Sequence, residues 1–135
     1  MSRRARGRAQ SPIGRDDAED LARVRLSLDR LHAAFARIGN PRAESIGELR
    51  EAFRTDPAAA WREIDSNAWW AGAGSLAADC MADNPGLPAE QWQTEVRALR
   101  ELLIDIGTLL RERGDTNPGL DSWLLAFQNW NDSEV

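Results

Sequence analysis

The chain has 135 residues, 42% hydrophobic and 29% charged, enough for one domain that buries about two thirds of its unfolded surface without disulfides or metals, and too apolar for a disordered chain. One cysteine and one histidine exclude an internal disulfide, a zinc site of the usual nitrogen and sulfur ligands, and the paired Glu-x-x-His motifs of a di-iron bundle; no metal or cofactor is expected. The formal charge of −5 hides a split, because residues 1–15 hold five arginines and no acid whereas residues 16–135 hold twelve arginines against 22 acids, or −10.

The first segment, "MSRRARGRAQ" and the five residues after it, has Ile13 as its one large aliphatic side chain beside Pro12 and Gly14. It buries too little apolar surface to offset the entropy of ordering, and reads as a flexible basic arm, 1–15, ahead of a single helical domain, 16–135. No hydrophobic segment follows its arginines, as a secretory or twin-arginine signal requires, and no apolar run approaches the roughly 18 residues that span a bilayer. The reading is an unexported, cytoplasmic protein that does not enter a membrane. All 17 basic residues are arginine, a bias that points to a GC-rich bacterial genome.

From Asp17, Leu21, Val24, Leu28, Leu31, Phe35 and Ile38 recur at spacings of three and four, the stripe of a helix of about 22 residues stopped by Gly39-Asn40-Pro41. Ser45 and Glu48 form the S-x-x-E pattern that opens a helix by reciprocal capping, with Ile46, Leu49 and Phe53 inward. Asp56 then caps a helix with Pro57 at its first position and Trp61 and Ile64 on its buried face. "NAWWAGAGSLAAD", residues 67–79, follows, and Leu76, Ala77 and Cys80 mark a short helix after it. Trp92, Val96, Leu99, Leu103, Ile106 and Leu110 predict a long helix over 88–113 that Gly114 ends; Leu120, Trp123, Leu124, Phe127 and Trp130 predict the last. The whole predicts an all-α, bundle-like domain of about six helices. "NPGL" occurs at 84–87 and again at 117–120, but the flanks do not match, and Asn-Pro-Gly is a common turn rather than a repeat signature.

The candidate site is the tryptophan and glycine stretch. Gly72 to Ala77, "GAGSLA", formally satisfies the dinucleotide fingerprint, which needs a strand before it and a βαβ unit around it. "WREIDSNAWWA" is no aliphatic strand, and the chain has no lysine for a P-loop. Gly72 and Gly74 therefore read as points of close approach or positive φ, Ser75 as a cap, and Trp69 or Trp70 as core, with a binding role kept for Trp69, Trp70, Gly72, Gly74 and Ser75 as a cradle for an anion or a partner's carboxylate. Trp69 or Trp70 with Gly72, Gly74, Ser75 and Leu76 resembles a segment of small uncharacterised bacterial helical proteins, in which an aromatic residue precedes Gly-x-Gly-Ser at a helix start. That resemblance implies a helical fold and carries no activity.

Cys80 in its alanine-rich setting reads as a buried reduced thiol, and His32, beside the first stripe, as a surface or hydrogen-bonded histidine rather than a general base. With no assembled catalytic constellation, the leading expectation is a non-enzymatic protein-binding module. Six tryptophans and an acidic body suit a basic partner, and within that class an immunity or antitoxin-like protein masking a cationic toxin. The alternatives are a nucleic-acid-associated regulator that contacts phosphates through Arg3, Arg4, Arg6 and Arg8, and a small enzyme using a carboxylate pair with displaced pKa values in a cleft.

Overall fold

The computed structural model describes residues 16–81, 87–114 and 117–133. In chain order it comprises α1 (Asp17–Arg37), α2 (Arg42–Thr55), α3 (Pro57–Ile64), α4 (Asn67–Trp70), a 3-10 turn (Ala77–Cys80), α5 (Ala89–Arg113) and α6 (Leu120–Asp132). No strand occurs among the described residues, so the all-α expectation holds. Five helices have eight residues or more; α4 is a single four-residue turn, and the short helix expected around Cys80 is the 3-10 turn. The arm, 1–15, lies outside the described residues, and no helix among them is long and apolar enough to cross a membrane.

Asp16 opens α1, its Oδ1 accepting from the N–H groups of Ala18 at 2.9 Å and Glu19 at 3.2 Å, with Asp17, Glu19 and Asp20 in the first turn where the helix dipole favours negative charge. The stripe lands as spaced: Val24, Leu28, Leu31 and Phe35 are buried, and Leu21 and Ile38 are half-buried against the core.

Helix α2 corrects the expected capping box. It starts at Arg42, a turn before the anticipated point, with Asn40 Oδ1 accepting from Arg42 N at 2.8 Å. The Ser45 hydroxyl donates to the Arg42 carbonyl at 3.1 Å instead of capping anything. Pro41 explains the early start, because it has no N–H to satisfy and its φ of −62° is already helical. The inward residues Ile46, Leu49 and Phe53 are nonetheless those expected. At the next junction Asp56 caps α3 through Ala59 N at 3.2 Å, with Pro57 at the first helical position.

Packing runs α3 on α2, α2 on α1, α1 on α5 and α5 on α6, around one continuous hydrophobic core. Ion pairs lie along the α1–α5 seam. Arg23 reaches Glu112 at 3.1 Å and Arg37 forks onto Glu95 at 2.9 and 2.8 Å, so the two helices run antiparallel. The Arg37 bond holds the Glu95 carboxyl below the usual carboxylate range. At the far end Arg113 reaches the buried Asp20 at 3.1 Å while stacking 3.9 Å over the Trp61 ring, which compensates for burial of the carboxylate by a charge partner. Gly114 ends α5 at φ +92°.

Candidate functional site

The stretch 67–79 folds into α4, a loop and the 3-10 turn, and its five candidate residues come together in one place. Three of them turn inward. Trp70 is fully buried and its Nε1 donates to the Ile64 carbonyl at 2.8 Å; Trp69 is 4% exposed and tilts against it with ring centroids 6.1 Å apart. The buried Ser75 hydroxyl donates to the Gly72 carbonyl at 2.8 Å and accepts from Ala78 N at 3.2 Å, which caps the 3-10 turn. The Gly72–Gly74 backbone is exposed and tied from outside: Arg42 donates to the Gly74 carbonyl at 2.8 Å and, through Nε, to Asp79, which also accepts from Asn40 Nδ2 at 3.5 Å. The element before the glycines is helix α4, so the strand that a dinucleotide fingerprint needs is absent here, and four residues of 3-10 turn align too few peptide dipoles to act like the long helix of that motif.

The two glycines differ. Gly72 has φ +84°, a left-handed conformation that favours glycine. Gly74 has no such φ, and a Cβ added there would meet nothing within 4 Å, so the expectation of strain or close approach at Gly74 is corrected. The close approach occurs instead at Gly119, which is not among the expected site residues: a Cβ there would stand 2.1 Å from the Trp70 carbonyl oxygen. The available signal was the second "NPGL". Asn117 N donates to Asp65 Oδ1 at 2.8 Å, Asn117 Nδ2 to Asn67 Oδ1 at 2.9 Å, and Asn117 Oδ1 accepts from Gly119 N at 2.9 Å. The turn thereby locks the start of α6 onto α4.

Of the remaining candidates, Cys80 is buried, as expected, and burial pushes its thiol pKa up, which removes the thiolate that reactivity needs. Its carbonyl accepts from Arg100 Nε at 3.0 Å, and the buried Arg100 lies 5.0 Å over the Trp130 ring and reaches Asn131 Oδ1 at 3.3 Å. His32 is half-buried, with its Nε2 facing Gly47 of α2. Arg3, Arg4, Arg6 and Arg8 lie outside the described residues. Among those described, no group of three or more His, Cys, Asp or Glu side chains is placed to hold a metal ion.

Besides Glu95, whose pKa is lowered by Arg37, one described carboxylate has a raised pKa. Asp105 is pushed up first by burial and then by Glu101 one turn before it, against the pull of Arg23 and Arg30. Neither acid lines the two depressions of the surface beside α2.

Two such depressions flank α2. Between α2 and α3 lies a groove of about 360 Å³ whose lining includes Leu49, Ala52, Ala59 and Ala60 as apolar side chains and Ser45, Glu48 and Glu63 as polar ones. Both of its titratable side chains are carboxylates. Between α1 and α2 lies a polar cleft of about 360 Å³, lined by Arg25, Asp29, Gly47, Arg50, Glu51 and Arg54. At 3.6 residues per turn, Glu48 and Ala52 fall on one flank of α2 and Gly47 and Arg54 on the other. Neither is visible in the sequence, because alanine, glutamate and arginine on helices are ordinary surface residues until two helices bring them together.

Compared with family models, with curated proteins and with solved structures, the chain matches none.

Proposed function

We propose that the protein is a non-enzymatic binding module for a basic protein partner, with the α2–α3 groove as the place where a cationic side chain of that partner docks. The observation that carries this reading is the groove's make-up: an apolar floor of three alanines and Leu49 with Glu48 and Glu63 beside it. A lysine or arginine has the complementary form, an aliphatic stem that packs on apolar surface and a charged head that stays at the edge. Small side chains on the floor leave room for the stem, and two exposed carboxylates accept the head without the cost of burying an unpaired charge. The −10 charge of residues 16–135 adds long-range attraction that speeds encounter with such a partner. In its sharpest form the module neutralises a cationic protein, as an immunity or antitoxin-like protein does.

The test is calorimetric titration of the full chain with a short arginine–alanine peptide. Saturable binding is expected, weakened tenfold or more, about 1.4 kcal/mol, in the Glu48→Gln/Glu63→Gln double variant at an unchanged melting temperature. Equal affinity in the double variant would remove the groove from the reading and leave only diffuse acidity.

A further inference from the structure

The other flank of α2 faces α1 and has the opposite character. Arg50 and Arg54, one turn apart, share the α1–α2 cleft with Arg25, so three guanidinium groups meet two carboxylates, Asp29 and Glu51. Arg50 lies 2.8 Å from Asp29, and Arg54 3.1 Å from Glu51; Arg25 takes no ion pair among the described residues. The floor is Gly47, in the middle of α2, where glycine is less stable than alanine. Nothing in the backbone calls for a glycine there: its φ is not positive, and a Cβ would meet only the His32 ring, 3.4 Å from Nε2. The missing side chain leaves room for that ring and keeps the cleft open beside it.

We propose that this cleft binds the phosphate group of a small, non-aromatic phosphomonoester. Guanidinium forks match the spacing and planar approach of phosphate oxygens, and three of them around one depression suit a dianion. Asp29 and Glu51 hold Arg50 and Arg54 as exposed pairs, which are weak and screened, so the two guanidinium groups turn to a dianion at little cost, and with Arg25 they outnumber the two carboxylates that stay in the lining. The cleft's volume of about 360 Å³ is at the small end of ligand pockets. Its lining has no aromatic ring on which a nucleotide base would stack, which selects a compact sugar or polyol phosphate. This site has the opposite charge and the opposite flank of α2 from the partner groove, and stands or falls independently of it.

Glycerol 3-phosphate is the probe, titrated into the full chain while the arginine Nε–Hε signals are followed by NMR, with inorganic phosphate and sodium chloride at equal ionic strength as parallel titrations. The expected result is a saturable shift of the Arg25, Arg50 and Arg54 signals that chloride does not reproduce. Arg54→Gln weakens it at least tenfold. Gly47→Ala, which raises helix propensity and keeps the fold, weakens it severalfold by filling the floor. A response that chloride matches, or one that persists unchanged in both variants, overturns the proposal; tighter binding of inorganic phosphate than of the ester overturns the ester as its ligand.

Discussion

The stretch 67–79 and helix α2 are opposites. The first is rich in rare residues, two adjacent tryptophans and a glycine pattern, and in the folded chain Trp69, Trp70, Ser75, Leu76 and Ala77 are all buried. The second carries only an S-x-x-E pattern that caps nothing, among ordinary helical residues, yet two depressions of the surface are built on its flanks. The difference shows what rarity in a sequence marks. A tryptophan is conspicuous because of its size, and size is used first to fill a core. A groove of the kind beside α2 needs only small side chains beside charged ones, a combination found on most solvated helices and given meaning only by the helix opposite.

This contrast can be broken most directly at Trp70. Trp70→Ala is expected to cost about 3–5 kcal/mol by emptying a fully buried site and by leaving the Ile64 carbonyl without its donor; chemical denaturation measures it. A loss below about 1 kcal/mol would mean that the ring is a surface anchor and that the stretch is a site after all.

Gly119→Ala tests the same region from the α6 side. The added methyl meets backbone, the Trp70 carbonyl, which cannot step aside as a flexible side chain would, and a loss of about 3 kcal/mol is expected, at the upper end of overpacking costs. Gly107→Ala is the milder comparison, since the atoms met there belong to the Leu120 and Leu124 side chains.

Within the glycine loop, Gly72→Ala should cost about 1–2 kcal/mol for forcing a side chain into the left-handed region at φ +84°, while Gly74→Ala should change the melting temperature little, having open space and no positive φ. Equal losses at the two positions would show that the loop depends on something besides backbone conformation. The smallest effect belongs to α2: Glu48→Gln and Arg54→Gln, both on exposed residues, are each expected to stay within about 0.5 kcal/mol of the parent. A larger loss at either would make α2 structural and erase the contrast between the two regions.

Much of the fold was legible before the structure. The three-four spacing of Val24, Leu28, Leu31 and Phe35, and of Val96, Leu99, Leu103, Ile106 and Leu110, identified side chains that are buried in α1 and α5, because a helix places such residues on one face whatever packs against it. Asp56 with Pro57 and the terminal Gly114 were equally readable, since capping and chain termination are chemistry within a few residues. The Ser45–Glu48 pattern misled because Pro41, four residues earlier, offered a competing local start. At the candidate site a core tryptophan and the Ser75 cap were legible; that both tryptophans are buried, and that the close approach falls at Gly119 and not at Gly74, was not.

What the sequence determined by itself was therefore local: the helical class, the positions of the long helices, the inward faces, and the charge contrast between residues 1–15 and the rest. The tertiary structure alone decided which glycine matters and where the surface opens. Gly119 is constrained by a carbonyl 49 positions away in the chain, at Trp70, and Glu48 meets Glu63, or Arg54 meets Arg25, only across a helix pair. Periodicity and capping act over a few residues, whereas a close approach or a groove is a property of two segments whose juxtaposition no local pattern encodes.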